Sequence, residues 1–313
     1  MVSQPIEALG ALRRPRSLSG RRRRAADITF RALAALCASL AIGAAFFLLA
    51  FLAHAGLRGV LHAGSQLLLG LRWKPEAGIF GGVPLVVGTV TSALGAVLLG
   101  ALPAVLAAVW VTELSPERLG KAFRRVMEIA VALPSVVYGW LALEHLVPQV
   151  DGLAKLVFAM RPDVGGEGLV TSAVLLAVMI GPTVALLSLD ALSRVPHAMR
   201  EASWALGATR LQTAFRVVVP HATSGLVIAV FFGFARAAGE TMAVQMVIGG
   251  ARRLPETPFS PTTTISTQLV MDMQNARPGT PESDVLYAMA LVLLVFSSAV
   301  VLATKALAKR RAA

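Results

Sequence analysis

The apolar residues of this sequence gather into long runs without charge. Residues 32–53, 83–112, 168–189 and 285–304 contain no Asp, Glu, Lys or Arg. Each run is long enough to cross a bilayer as a helix, which takes about 20 residues. Two further stretches are apolar but carry charge. Residues 126–147 hold Glu128 and Glu144 with Pro134 between them, and 223–250 hold Arg236 and Glu240. Charged side chains inside a span face a bundle interior or a water-filled cavity. These two are therefore the candidates for lining a path. The pattern predicts an all-α membrane protein with six transmembrane helices, at about 31–53, 83–112, 126–147, 168–189, 223–250 and 285–308. It divides the chain into a basic tail (1–30), a six-span domain (31–308) and a short C-terminal tail (309–313).

Composition agrees. Charged residues make up 15% of the 313, against about a quarter in soluble domains, and mean hydropathy is +0.71. The net charge of +12 would suggest nucleic acid on a soluble protein. Here the basic residues flank the spans. With the N-terminus inside, 20 of the 29 Lys and Arg fall on the inner side and eight on the outer, with Arg236 within a span. That bias predicts both termini in the cytoplasm, no nucleic acid, and lipid as the surrounding partner. The arginines at 21–24 precede an apolar run that exceeds the roughly 7–15 residues of a secretory signal, so the first span is expected to be retained. The tail before it is basic, with Pro and Ser, and is expected to be disordered.

Chemistry-bearing clusters are scarce. The five histidines are spread along the chain, and Cys37 has no cysteine partner and lies in the first apolar run, as a core or lipid-facing hydrophobe. No P-loop is present. The sequence predicts no metal, no cofactor and no catalytic residue. Pro103, Pro134, Gly181-Pro182, Gly233 and Gly239 interrupt the spans. Membrane helices tolerate such residues where neighbours re-satisfy the backbone, and small residues allow close packing.

Residues 195–220, between the fourth and fifth spans, are too polar to cross and too patterned for a linker. Pro196 suits a helix start. Met199, Ala202, Ala205 and Leu206 recur at helical spacing, and Gly207 permits a backbone reversal. Thr209 is a candidate N-cap for a second short helix containing Leu211, Phe215 and Val219. Two short amphipathic helices at a tight angle would make a projection on which a partner docks.

Glu201-Ala202-Ser203, then Gly207 after three residues, then Val217-x-Val219-Pro220 after nine, resembles the EAA loop of ABC importer permeases. That motif reads Glu-Ala-Ala, Gly and Ile-x-Leu-Pro at the same spacing, and Ser203, Val217 and Val219 depart from it. The resemblance implies a type I importer permease fold whose loop is a coupling helix seated in a groove of an ATPase subunit. Glu201, Ala202, Gly207 and Pro220 would carry that contact. Arg236-x-x-Gly239-Glu240 in the fifth span resembles the importers of phosphate, sulfate and molybdate. Its continuation, Thr241-Met242-Ala243-Val244, is similar to PstC-type phosphate permeases. Leu133-Pro134-Ser135-Val136-Val137-Tyr138-Gly139 is similar to both phosphate permease types. The likeness runs from about residue 81 to the C-terminus, leaving out 151–167.

The resemblance implies one half of a heterodimer with a PstA-type permease, two PstB-type ATP-binding subunits and a PstS-type extracytoplasmic phosphate-binding protein. The chain would be a non-enzymatic transport subunit in a bacterial inner membrane. An Arg in mid-membrane costs about 2.5 kcal/mol or more to insert, and Glu240 stands four residues on, within reach on one helix face. Two roles follow: a neutralising ion pair, or a guanidinium that pairs with Glu240 at rest and meets a passing tetrahedral oxyanion with its rigid donor fork. Ser135, Tyr138 and Thr241 are candidate neutral donors, or else packing residues. A sulfate or molybdate permease is the nearest alternative, with Thr241 to Val244 against it. An ATP-independent channel or membrane enzyme would have no use for the coupling loop.

Overall fold

A segment without water around it must satisfy its own backbone N–H and C=O groups, and a helix does so. The computed structural model, which describes residues 20–158 and 164–312, is accordingly helical apart from one short hairpin and the connecting loops. In chain order the elements are α1 (Gly20–Ala63), α2 (Gln66–Leu69), β1 (Trp73–Lys74), β2 (Ile79–Phe80) and α3 (Val83–Glu113). There follow α4 (Glu117–Ala132), α5 (Ser135–Val157), α6 (Leu169–Ser193) and α7 (His197–Ala205). The last are α8 (Arg210–Gly239), α9 (Met242–Gln245), α10 (Ile265–Met273) and α11 (Pro281–Ala312).

Five helices are long and apolar enough to span a membrane, and a sixth span arises if α4 and α5 are taken together. That pair corrects the expected third span. Residues 126–147 are not one helix: the chain bends by 90° at Leu133-Pro134, which puts Glu128 and Glu144 on different segments. Proline has no N–H to donate and disfavours helical backbone at the preceding residue. Leu133 is extended, at ψ 134°. The first and last spans are longer than their apolar runs: α1 begins at Gly20, so residues 20–30 of the basic tail are helical, and α11 continues through 309–312. The expected fifth span, 223–250, is instead a helix from Arg210 that stops at Gly239. Residues 1–19 of the tail lie outside the described residues.

Residues 1–51 and 52–313 form separate units. In the first, every described side chain from Asp27 to Phe51 is exposed, Cys37 included. In the second, α6 is the central element. Its residues Leu176, Ile180, Val184, Leu189 and Leu192 are buried against α3 and α8. Small residues set those crossings. A Cβ at Gly100 of α3 would lie 2.5 Å from the Ala177 carbonyl oxygen. One at Gly233 of α8 would lie 2.6 Å from Val184 Cγ2.

Four prolines continue their helices instead of ending them: Pro182 within α6, and three that each stand just past a widened π turn. The turns are Val97–Ala101, Ala142–Leu146 and Ala214–Val218, and Pro103, Pro148 and Pro220 follow them. A helical proline ring collides with the carbonyl four residues back. In all three cases that carbonyl belongs to the wide turn, where the bonding reaches one residue further.

At the end of the bundle far from α7, the β1–β2 hairpin buries Trp73, whose indole N–H donates to Asp272 Oδ2 at 2.7 Å. Arg252 bridges Asp272 at 2.7 Å and Glu76 at 2.8 Å. The Arg252 hydrogen bond holds the Glu76 carboxyl below its ordinary pKa. Here the 251–284 connection folds back into the bundle, burying Thr262, Thr263, Thr264, Ser266, Thr267 and Gln268.

Candidate functional site

The 195–220 loop is fixed at each turn by local chemistry. Pro196 caps the start of α7 in extended backbone. At its C-terminus, Gly207 takes φ +81°. Gly207 N–H donates to the Trp204 carbonyl at 2.9 Å and Ala208 N–H to the Ser203 carbonyl at 3.2 Å. This double bond pattern is the Schellman reversal, in which a left-handed residue favours glycine. Thr209 then opens α8 with a capping box. Gln212 N–H donates to Thr209 Oγ1 at 3.2 Å, and Thr209 N–H to Gln212 Oε1 at 2.9 Å. Ser203 and Thr213 hydroxyls meet at 2.9 Å and pin the two arms together.

The predicted reversal and cap are both present. The predicted second short helix is not separate: residues 210–213 run through the 214–218 π turn into the fifth span as one helix. Pro220 does not end a motif; it continues that helix. Glu201, Ala202 and Gly207 are exposed, beside the exposed Trp204, Leu206, Leu211 and Phe215. Met199 instead turns inward onto the core.

Sequence reasoning missed the one fully buried residue of α7. Arg200 is 6% exposed. Its Nε lies 3.2 and 3.1 Å from Glu113 Oε1 and Oε2, and its Nη2 lies 2.7 Å from Oε1. Nη1 donates to the Val195 carbonyl at 2.6 Å and Nη2 to the Leu192 carbonyl at 3.1 Å. A helix end leaves its last carbonyls without intrahelical partners, and here a guanidinium binds one of them, Leu192, and the Val195 carbonyl of the turn that follows. Glu113 was visible as the first charge after 36 apolar or neutral residues, 77–112.

The second region is a pair of broken helices. At the first break, the Tyr138 hydroxyl donates to the Ala130 carbonyl at 2.8 Å, closing the gap that Pro134 opens. At the second, α8 stops at Gly239. Glu240 turns extended, at ψ 134°, and its Oε1 accepts from Thr241 N–H at 3.2 Å and Ala243 N–H at 3.5 Å. Ser266 Oγ donates to the Glu240 carbonyl at 2.9 Å. The two breaks are brought together because α5 packs on α9. A Cβ at Gly139 would lie 2.8 Å from Ala243 Cα and 2.9 Å from Met246 Sδ.

Arg236 is half-buried on the last turn of α8, and it is not paired with Glu240. The expectation of a resting ion pair fails because the helix ends between them, so the i, i+4 geometry is lost. Arg236 Nη1 donates instead to Thr183 Oγ1 on α6, its one hydrogen bond among the described residues. Ser135, Tyr138, Glu240 and Thr241 gather at the paired breaks. No described contact joins Arg236 to Ser135, Tyr138 or Thr241. Among the described residues, no group of three His, Cys, Asp or Glu could hold a metal ion.

Residues 96–313 match the family described as "binding-protein-dependent transport system inner membrane component". The chain is 36% identical to the probable ABC transporter permease protein YqgH of Bacillus subtilis over 302 residues, 95% of this chain and 96% of that protein. It is 32% identical to the phosphate transport system permease protein PstC of Haemophilus influenzae over 293 residues, 89% and 88% of the two. The PstC of Mesorhizobium japonicum is 31% identical over 318 residues, 95% and 94%. Among solved structures, a bacterial ABC transporter that imports alginate superposes with TM-score 0.59 at 17% identity, covering 92% of this chain and 99% of that one. The MetNI methionine ABC transporter superposes with TM-score 0.51 at 19% identity, covering 74% and 94%. The likeness to these structures is one of fold, that of the type I ABC importer permeases.

Proposed function

We propose, from the premise that this chain belongs to the family of binding-protein-dependent transport system inner membrane components, that it is the phosphate-conducting permease subunit of an ABC importer. The observation that carries the reading is Arg236: a half-buried guanidinium at a broken span, free of Glu240 and, among the described residues, bonded only to a neutral hydroxyl. A guanidinium presents donors in a fork that matches an oxyanion's geometry, and such charge-assisted bonds are the strong ones. The PstC relatives support phosphate among the oxyanions.

In this reading Arg236 binds the anion, with Thr241 and Ser135 as neutral donors near the breaks. Tyr138 is a supporting residue whose O–H is already committed to Ala130. Glu240 organises the break through the α9 amides. The exposed face around Glu201, Ala202 and Gly207 seats in an ATP-binding subunit, where ATP is hydrolysed, and Pro220 keeps that face continuous with the fifth span. A PstA-type permease completes the pathway, two PstB-type subunits drive it and a PstS-type protein delivers phosphate. Transport is alternating access about a site near the midplane. Both termini lie in the cytoplasm, so a reporter fused after Ala313 is expected to be active only in a form that works there.

The test is uptake of radiolabelled phosphate by the reconstituted complex, competed with unlabelled oxyanions. Excess phosphate is expected to abolish the signal and excess sulfate or molybdate to leave it. Equal competition by sulfate or molybdate would move the assignment to that anion.

A further inference from the structure

On helix α7 Met199 and Ser203 are half-buried and Arg200 alone is buried, so the one side chain it buries is a cation. That cation ties three elements at one point. Its carboxylate partner, Glu113, is the final residue of α3 and is 4% exposed at the side chain. Its carbonyl partners, Leu192 and Val195, belong to the end of α6 and the turn after it. Apolar packing does not do this job: Met199 is the α7 side chain that joins the surrounding core, from its edge. A side chain that could slide against apolar neighbours has many near-equal positions. A planar fork against a carboxylate and two carbonyls has one.

We propose that Arg200 and Glu113 are a positioning pair, a rigid strut through which α7 and the second span move as one body. When an ATP-binding subunit displaces the exposed face of α7, the displacement then reaches α3 directly, and not only the fifth span that follows in sequence. The proposal rests on the importer reading above. It adds that the second span, remote in sequence from the loop, is driven by it. Coupling of this kind needs a demonstrated element shared by both sites, not mere adjacency, and the distance measurement below supplies that demonstration or refuses it.

The test uses the assembled complex with Cys37→Ser as background, since Cys37 is the sole cysteine. Spin labels go at Ala198→Cys on α7 and Leu106→Cys on α3, both exposed. The 198–106 distance is expected to be the same without nucleotide and with ATP trapped. A nucleotide-dependent distance in this otherwise native complex would overturn the strut, whatever any variant does. The second arm is Arg200→Met with Glu113→Leu. A buried pair replaced by apolar residues of similar volume usually still folds. A purely structural pair would leave transport intact. The strut predicts a complex that assembles and hydrolyses ATP but spends about tenfold more ATP per phosphate imported, within the usual range of coupling between sites. A wild-type ratio in that assembled variant would overturn the proposal. Failure of the phosphate assignment would appear separately, as wild-type complex that hydrolyses ATP without moving phosphate, and the distance arm does not depend on it.

Discussion

Arg200 and Arg236 lie on neighbouring helices, both bonded to α6 or its end, and are used in opposite ways. Arg200 is buried, and its Nε, Nη1 and Nη2 are all engaged, with a carboxylate neutralising the charge. Arg236 is half-buried, bonds a neutral hydroxyl, and lies one break away from the carboxylate that sequence spacing offers it. An arginine that holds elements in fixed register is saturated, because an unpaired buried charge is costly. An arginine that must take and release an anion has to keep donors open and tolerate the cost. The contrast teaches that residue type does not separate structure from transport here; the bookkeeping of donors does.

The largest expected effect falls on the saturated site. Arg200→Ala strands the Glu113 carboxylate and should cost about 3–5 kcal/mol, read as loss of assembled complex or a lowered denaturation midpoint. Arg236→Ala should cost about 1 kcal/mol, the worth of one hydrogen bond. Equal costs would break the comparison. Next comes Gly207→Val. An L-residue in left-handed backbone costs about 1–2 kcal/mol, and a β-branched chain is a poor occupant of φ +81°. Membrane insertion should survive while ATP hydrolysis separates from uptake; normal uptake would remove the loop from coupling. Tyr138→Phe should cost about 1 kcal/mol through the lost bond to Ala130, measured as a lowered midpoint with uptake retained. Abolished uptake at unchanged stability would move Tyr138 beside Arg236 as an anion donor.

The smallest effect belongs to a third arginine, Arg252. Its hydrogen bond lowers the pKa of the exposed Glu76 below the usual 4.5. A carboxyl whose folded pKa is depressed adds stability above its unfolded value and loses it as pH falls through the lowered one. Glu76→Gln should therefore melt marginally below wild type at neutral pH and with it in acid. A gap that widened on acidification would reverse the sign.

The spans were legible because apolarity over about 20 residues is a local property. The coupling loop was legible because glycine at a reversal and threonine at a cap are local demands, met at Gly207 and Thr209. Direction was not legible. Nothing in 126–147 says that Pro134 turns the chain by 90° instead of kinking it, since the direction after the break goes with the packing of Gly139 on Ala243, remote in sequence. The same holds for Glu240, which leaves the helix because α9 amides and Ser266 receive it. The burial of 262–267 was not legible because what anchors the segment is remote: Ile265 N–H donates to Thr89 Oγ1 at 2.9 Å, across 176 residues, and Ser266 Oγ to the Glu240 carbonyl, while Thr263, Thr264 and Thr267 bond one another. Arg200 stood beside Glu201 in the motif, but its partner Glu113 lies 87 residues away.

The measurement that bears most directly on the account is the initial rate of radiolabelled phosphate uptake by the complex carrying Arg236→Met, after its assembly with the ATP-binding subunits has been verified. A charged hydrogen bond is worth about 1.5–3 kcal/mol, so an anion that depends on this guanidinium should move at least about tenfold more slowly. Uptake at the wild-type rate by the assembled variant would contradict the account and leave Arg236 as a partner of Thr183 alone.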